Sequence, residues 1–370
     1  MGNKSKHRPV AKPLKSSARA LGGGVGSWDV VRLMGAVQAL GPELAQTQGV
    51  AMYREWLASN PTNPVRFAAL FNLGVLLAAE GRREEAIPIE DPAAVASVAL
   101  DVRCLAHNHI GRLLETLHQY EPSEQILWKS LLLNPRQTDV LQHWFHLRQK
   151  QCRWPVEIDV PGGTGGETLL SLSPLAMLAH SDDPGMQLLT SIAFAQRKFS
   201  TIGGNLSAGR KYNHDRLRIG YLSSDLLTHA VGLLLAEVFE SHDRSRVETF
   251  GFCVSREDGS VQRARLIAGL EHFEKVGHLT DEGIARRILD CEIDVLVDLN
   301  GMSLGTRIGV LSYRPAPVQA TWLGFIGPTS LPYVDYVITD RFAIPETLTK
   351  FYREKPLYLS GSFLPRDNKR

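Results

Sequence analysis

The feature that most constrains the fold is a set of short segments, beyond about residue 216, that are apolar on both faces. "IDVLVDLN" places Val295, Leu296 and Val297 in succession, where a half-exposed strand would alternate with polar residues. Such a run must be covered from both sides, as the strands of a parallel sheet are. Strands are predicted at "LRIGYLS", "VETFGFCV", "HFEKVG", "IDVLVDLN", "VQATWLG" and "DYVITD". The amphipathic segments "VGLLLAEVFESH", "GSVQRARLIAGL", "DEGIARRILD" and "LGTRIGVLSY" lie between them. Strands alternating with helical segments predict one doubly wound sheet domain.

Upstream the texture is helical, over residues 28–153. "FAALFNLGVLLAAEGRREEAI" spaces its apolar residues for a helix, and Gly81 is placed to end it. Leu70, Leu73, Gly74, Leu77 and Ala86 follow the pattern of a tetratricopeptide helix pair, in which a small Gly lets two helices approach closely. Ile110-Gly111 repeats Leu73-Gly74, and "LLLNP" repeats "LASNP", which predicts degenerate repeats. The alternative is a generic bundle with chance recurrences. Residues 154–213 read as a linker with intervening helices. They include the Gly-rich "VPGGTGGE", which lacks the strand and GK[ST] of a phosphate-binding loop.

At 370 residues the chain exceeds one ordinary core. Net charge is +2, but the first 20 residues hold Lys4, Lys6, Arg8, Lys12, Lys15 and Arg19 and no acid. Residues 1–27 therefore read as a disordered basic arm and hinge, and nothing in the charge balance calls for a nucleic-acid partner. "MGNKSK" fails as a myristoylation site because Lys6 stands where Ser or Thr is needed. No apolar run reaches transmembrane length, so no membrane partner is expected. Four scattered cysteines, with no CxxC pair, fit reduced thiols in a cytoplasmic protein.

Ligands of a doubly wound sheet bind outside the carboxyl ends of its strands. "LRIGYLSSDLLTHAVG" ends its strand in Ser223, Ser224 and Asp225, with His229 in the first turn of the following helix, at the crevice edge. Asp225 or Thr228 is placed to cap that helix, and its N-terminal field favours a neutral imidazole at His229. The plainer reading leaves Asp225 and Thr228 as caps and His229 as a surface residue. "LVDLNGMSLGTR" puts Asp298, Asn300 and Gly301 at a second strand exit, with Arg307 beyond. "RPAPVQATWLGFIGPTS" makes a third, a glycine-bracketed loop.

In that order and spacing these stretches resemble the protein O-GlcNAc transferases, including SPINDLY-like bacterial members. "LQHWFHLRQKQCRWP" resembles the segment where that family's tetratricopeptide repeats meet the catalytic region. The resemblance implies an α + α/β chain: helical repeats, then at residues 214–370 the first, Rossmann-like lobe of a two-lobed GT-B glycosyltransferase. It implies inverting transfer of N-acetylglucosamine from UDP-GlcNAc to Ser or Thr of proteins held by the repeats, with no metal or cofactor. His229 would orient substrate or act as acid or base, supported by Asp225. Leu323, Gly324 and Ile326, with Gly301 and Arg307, would line the substrate pocket. Phe325 and Ile326 stand where the family has Tyr and Pro, and Met302 where it has Tyr. Donor contacts from a second lobe fall outside the residues matched. The chain alone is therefore expected to be a weak or inactive enzyme needing a separate second lobe. The competing expectation is a non-catalytic protein-binding module.

Overall fold

The structure, a computed structural model, describes residues 24–63, 65–86, 100–156, 165–199 and 203–369. The basic arm up to residue 23, residues 87–99 with all of "EDPAAVAS", and residues 157–164 of the Gly-rich segment lie outside the described residues. The chain divides into two compact units between Gly163 and Thr164.

The first unit is helical: α1 (Val30–Ala39), α2 (Val50–Ser59), α3 (Arg66–Ala79), α4 (Leu100–Thr116), α5 (Tyr120–Leu133) and α6 (Thr138–Lys150). Leu33, Tyr53, Trp56, Ala69, Leu73 and Leu77 form a core in which Leu113 of α4 shares. Gly111 does what its place in the repeat requires. A Cβ there would lie 2.3 Å from a methyl of Leu127 on α5, and the Ser123 hydroxyl of α5 donates to the Gly111 carbonyl at 2.7 Å. Leu127 is fully buried and cannot swing aside. Gly111→Ala therefore forces the pair apart, and the strain exceeds the gain in helix propensity, for a net loss of about 1–3 kcal/mol in urea unfolding.

The second unit is built on a seven-stranded sheet in the order β3-β2-β1-β4-β5-β6-β7, every neighbouring pair parallel. The strands are β1 (Leu217–Ser223), β2 (Val247–Cys253), β3 (His272–Lys275), β4 (Val295–Asp298), β5 (Val318–Thr321), β6 (Tyr336–Thr339) and β7 (Lys355–Tyr358). Side-chain alternation sorts the buried residues into two cores. Leu222, Phe252 and Leu296 face one, with α12 (Asp281–Asp290). Tyr221, Cys253 and Val297 face the other, with α10 (Ala230–Ser241) and α11 (Val261–Gly269). The helices α7 (Gly165–Ser171), α8 (Pro174–His180) and α9 (Pro184–Lys198) precede the sheet, and Ala195 of α9 enters the first core.

Three local readings differ from the structure. "LGTRIGVLSY" is a short 3-10 helix, Ile308–Tyr313, closed by Arg314 in the left-handed region at φ 44°. The Pro315-X-Pro317 entry to β5 leaves no room for an α-helix to continue. A seventh strand, Lys355–Tyr358, stands beyond the six predicted; it contains Pro356 and pairs with β6 at the sheet edge, where a missing N–H is tolerated. α7 begins at Gly165, inside the segment read as a linker.

At the opposite end of the sheet from the strand exits, His214 lies between Asp294 (3.2 Å from Nδ1) and Glu292 (3.0 Å from Nε2). Both partners are carboxylates, so both ring nitrogens must donate and the imidazolium is favoured; its pKa is raised, first by the Glu292 hydrogen bond. A raised folded-state pKa gives stability that is present below the unfolded value, near 6.5, and lost as pH rises through the higher folded value. His214→Gln is expected to flatten the fall in melting temperature of the parent as pH rises above about 6.5.

Candidate functional site

Chain order reverses between β1 and β4: the sheet grows outward from β1 to β3, then resumes beside β1 and grows the other way. In doubly wound sheets it is at such a reversal, outside the carboxyl ends of the strands, that ligands bind. Register places Leu222 opposite Asp298, and Asp298 opposite Thr321, so the exits of β1, β4 and β5 lie side by side.

Asn300 joins them. Its Oδ1 accepts the Ser224 N–H at 2.8 Å, and its Nδ2 donates to Ser224 Oγ at 2.8 Å and to Asp225 Oδ2 at 2.7 Å. Ser224 Oγ donates to the other Asp225 oxygen, and Ser223 Oγ accepts the Asp225 N–H. Asn300 is 1% exposed, so its bonds are made away from competing water. Asp225 Oδ2 lies 3.6 Å from Nδ1 of His229, whose ring is half exposed.

His229 does not sit inside the first turn of α10. It is the N-cap itself, in extended conformation, with Nδ1 accepting the Val231 N–H at a long 3.4 Å. Neither Asp225 nor Thr228 caps: the Asp225 carboxylate is held by Asn300 and Ser224, and the Thr228 N–H is held by Asp258. With its Nδ1 lone pair turned to Val231, the neutral ring carries its proton on Nε2.

Asp298 lies beneath this network. It is fully buried; Oδ2 accepts the Gly301 N–H at 2.6 Å and faces the Thr321 hydroxyl at 3.4 Å, while Oδ1 has no partner. Burial pushes its pKa up to about 7 against the pull of the Gly301 and Asn300 N–H groups, and the charge of Asp225 adds to the rise.

The glycines dock the loops. Gly301 has φ +55°, and a Cβ on it would fall 2.6 Å from that of Phe325; one on Gly324 would fall 2.2 Å from the Leu299 carbonyl oxygen. Leu323 is 8% exposed and takes φ +68°, a strained value for leucine, while Ile326 is half exposed and its carbonyl accepts from the Tyr352 hydroxyl at 2.9 Å. Phe325 and Met302 are both 3% exposed within the sheet core. Apolar residues at those two positions are explained by packing. Arg307 is not joined to the Asn300 network: its Nε donates to Asp281 at 2.5 Å and its Nη2 to the Leu279 carbonyl at 2.9 Å, which ties the β4–β5 connection to α12.

The structure thus brings Asp225, His229 and Gly301 to the same end of the sheet, with Leu323, Gly324 and Ile326 on the loop that docks on Gly301 through Phe325. Asn300, at its centre, was visible in the sequence only as a polar residue at a strand exit; its role needed the pairing of β1 with β4. Among the described residues no group of three or more His, Cys, Asp or Glu side chains is arranged to hold a metal ion, and no helix is long and apolar enough to cross a membrane.

Residues 204–370 match the family model described as glycosyl transferase family 41. That match takes in all seven strands of the sheet. The chain is 33% identical over 211 residues to the Arabidopsis thaliana "Probable UDP-N-acetylglucosamine--peptide N-acetylglucosaminyltransferase SEC", covering 54% of this chain and 22% of the relative. It is 36% identical over 157 residues to the Caenorhabditis elegans UDP-N-acetylglucosamine--peptide N-acetylglucosaminyltransferase, covering 42% of this chain and 14% of that protein. The matched part therefore spans about a fifth or less of the length of these two relatives. A mutant of Thermobaculum terrenum O-GlcNAc transferase shares the fold, with a TM-score of 0.58 at 24% identity over 92% of this chain and 60% of that one.

Proposed function

We propose that the family 41 unit is the acceptor-side wall of an inverting glycosyltransferase that moves N-acetylglucosamine from UDP-GlcNAc to Ser or Thr hydroxyls of proteins. The observation that carries this reading is the half-exposed His229 ring at the sheet's switch point, backed at 3.6 Å by an Asp225 that Asn300 immobilises. A rigid, hydrogen-bonded polar group beside a crevice is what orientation of two reactants needs. In the tautomer described, Nε2–H is a donor, so the geometry favours His229 as the group that orients a substrate oxygen over His229 as the base. The loop of Leu323, Gly324 and Ile326 would face the sugar, with Gly301 at its base and Arg307 bracing the β4–β5 connection.

In this reading the helical repeats hold protein substrates, and a second lobe supplies the contacts to the diphosphate. Charge developing on the leaving group is the largest electrostatic demand of the reaction, and preorganised partners meet it without a metal. Four unpaired cysteines support a reducing, cytoplasmic setting.

The experiment is transfer from UDP-GlcNAc to protein acceptors by the 370-residue chain, alone and with a separately supplied second lobe. His229→Ala is expected to lower complemented transfer by about 100-fold or more, and Asp225→Asn less. Full transfer by His229→Ala would remove its assignment. Tight stoichiometric capture of UDP-GlcNAc by the chain alone would remove the need for a second lobe.

A further inference from the structure

The loop that carries His229 is not self-supporting. From Ser224 to His229 the backbone makes one local bond of its own, His229 N–H to the Leu227 carbonyl at 2.8 Å. Asn300 and Ser223 hold the N–H groups of Ser224 and Asp225, and the order of the part nearer the imidazole comes from residues 258–263, at the start of α11. The Thr228 N–H donates to Asp258 Oδ2 at 3.0 Å, and the Leu226 carbonyl accepts from Arg263 Nη1 at 2.8 Å. Just past the cap, the Gly232 carbonyl accepts from Gln262 Nε2 at 2.8 Å. Three side chains from one short stretch thus hold the backbone before, beside and after the imidazole.

We infer that Asp258 and Arg263 are positioning residues that set where the His229 ring stands; the inference rests on His229 as the substrate-orienting group. Arg263 is 1% exposed, a cost in desolvation that its bond to the Leu226 carbonyl and its neighbour Glu257 offset. Asp258 is divided between two tasks. Oδ1 accepts from the Ser260 N–H (3.1 Å) and hydroxyl (2.9 Å), which anchors the acid to the first turn of α11, and Oδ2 is left for Thr228. These backbone donors, Thr228 foremost, hold its pKa down to about 2, so the clamp is charged throughout the physiological range. The loop is also pressed onto α10. A Cβ on Gly232 would lie 2.2 Å from the Leu227 carbonyl oxygen and 2.9 Å from that of Asp225, so the loop cannot move toward the helix and its freedom is outward, against the clamp.

The test uses the chain labelled with 15N-histidine, the His229 ring resonances being assigned by their loss in His229→Gln. In the parent, Nδ1 is expected to read as an unprotonated acceptor and Nε2 as protonated. Asp258→Ala is expected to move both nitrogens toward the averaged values of a free imidazole and to speed hydrogen exchange of the Thr228 amide about tenfold or more, with β1 and β4 amides unchanged. Asp258→Asn keeps an acceptor oxygen and is expected to fall between. Arg263→Met is the second variant; should it fail to fold, Asp258→Ala, on an exposed side chain, decides alone. In the complemented transfer assay Asp258→Ala is expected to lower kcat about tenfold with KM for UDP-GlcNAc nearly unchanged. Ring signals and Thr228 exchange identical to the parent in Asp258→Ala would overturn the inference. If the parent transfers nothing under any complementation, the functional reading falls, and the ring signals still decide the clamp.

Discussion

At pH 8 the Asp298→Asn variant is expected to unfold at a higher urea concentration than the parent, and near pH 5 that advantage is expected to vanish or reverse. Asp298 is fully buried, and its folded pKa of about 7 lies well above that of an unfolded aspartate. Below about pH 4 both states hold the proton and the residue costs nothing extra. Between there and about pH 7 the folded state holds more protons than the unfolded one, so stability falls as pH rises, and above that the loss is complete. Three pKa units correspond to a loss on the order of 4 kcal/mol. Asparagine never ionises and keeps an oxygen for the Gly301 N–H, at 2.6 Å from the parent carboxylate. Its amide must instead satisfy two N–H donors near Thr321, which costs about 1–3 kcal/mol at every pH. The net gain at pH 8 is therefore about 1–3 kcal/mol. A difference between the two proteins that stays flat from pH 5 to 8 would show that Asp298 does not titrate in the fold.

The second large effect concerns Asn300. Asn300→Ala removes an acceptor from the Ser224 N–H and donors from Ser224 Oγ and from the Asp225 carboxylate, in a place 1% exposed. The groups left behind are costlier than the bonds lost, and a partly buried carboxylate is the costliest of them. Destabilisation of about 2–4 kcal/mol is expected in urea unfolding. Asn300→Asp is expected to be worse at pH 8, because it sets two carboxylates about 2.7 Å apart, and to recover part of its stability near pH 4.5, where one of the pair takes a proton. In the complemented transfer assay both variants are expected to lose activity with His229 chemically intact, since the Asp225 behind it is no longer fixed. Parent-like unfolding of Asn300→Ala would mean that the three exits are held by packing alone.

Several elements were legible because their cause is local. Val295, Leu296 and Val297 demand cover on both faces whatever surrounds them, and β4 is where they predict it. Pro184-Gly185 reads as a break in a helical stretch, and α9 starts there, where the Asp183 carboxylate accepts from the Gly185 and Met186 N–H groups. Elements that failed were those decided by neighbours. β7, four residues long and containing Pro356, is recognisable only through its pairing with β6 at the sheet edge, and residues 304–313 have helical spacing that the turn into β5 does not allow.

The sequence by itself determined that a helical repeat region precedes a covered parallel sheet, and that Ser223, Asp225, Asn300 and Gly301 stand at strand exits. Periodicity and chain direction suffice for that. Only the tertiary structure decided that Asn300 grips Ser224 and Asp225 from 76 and 75 residues away, that His229 is the cap and its neighbours are not, and that Arg307 braces α12. Each of these depends on which strand lies beside β1. That is set by the burial of two whole faces of the sheet, a property that no single stretch of the chain contains.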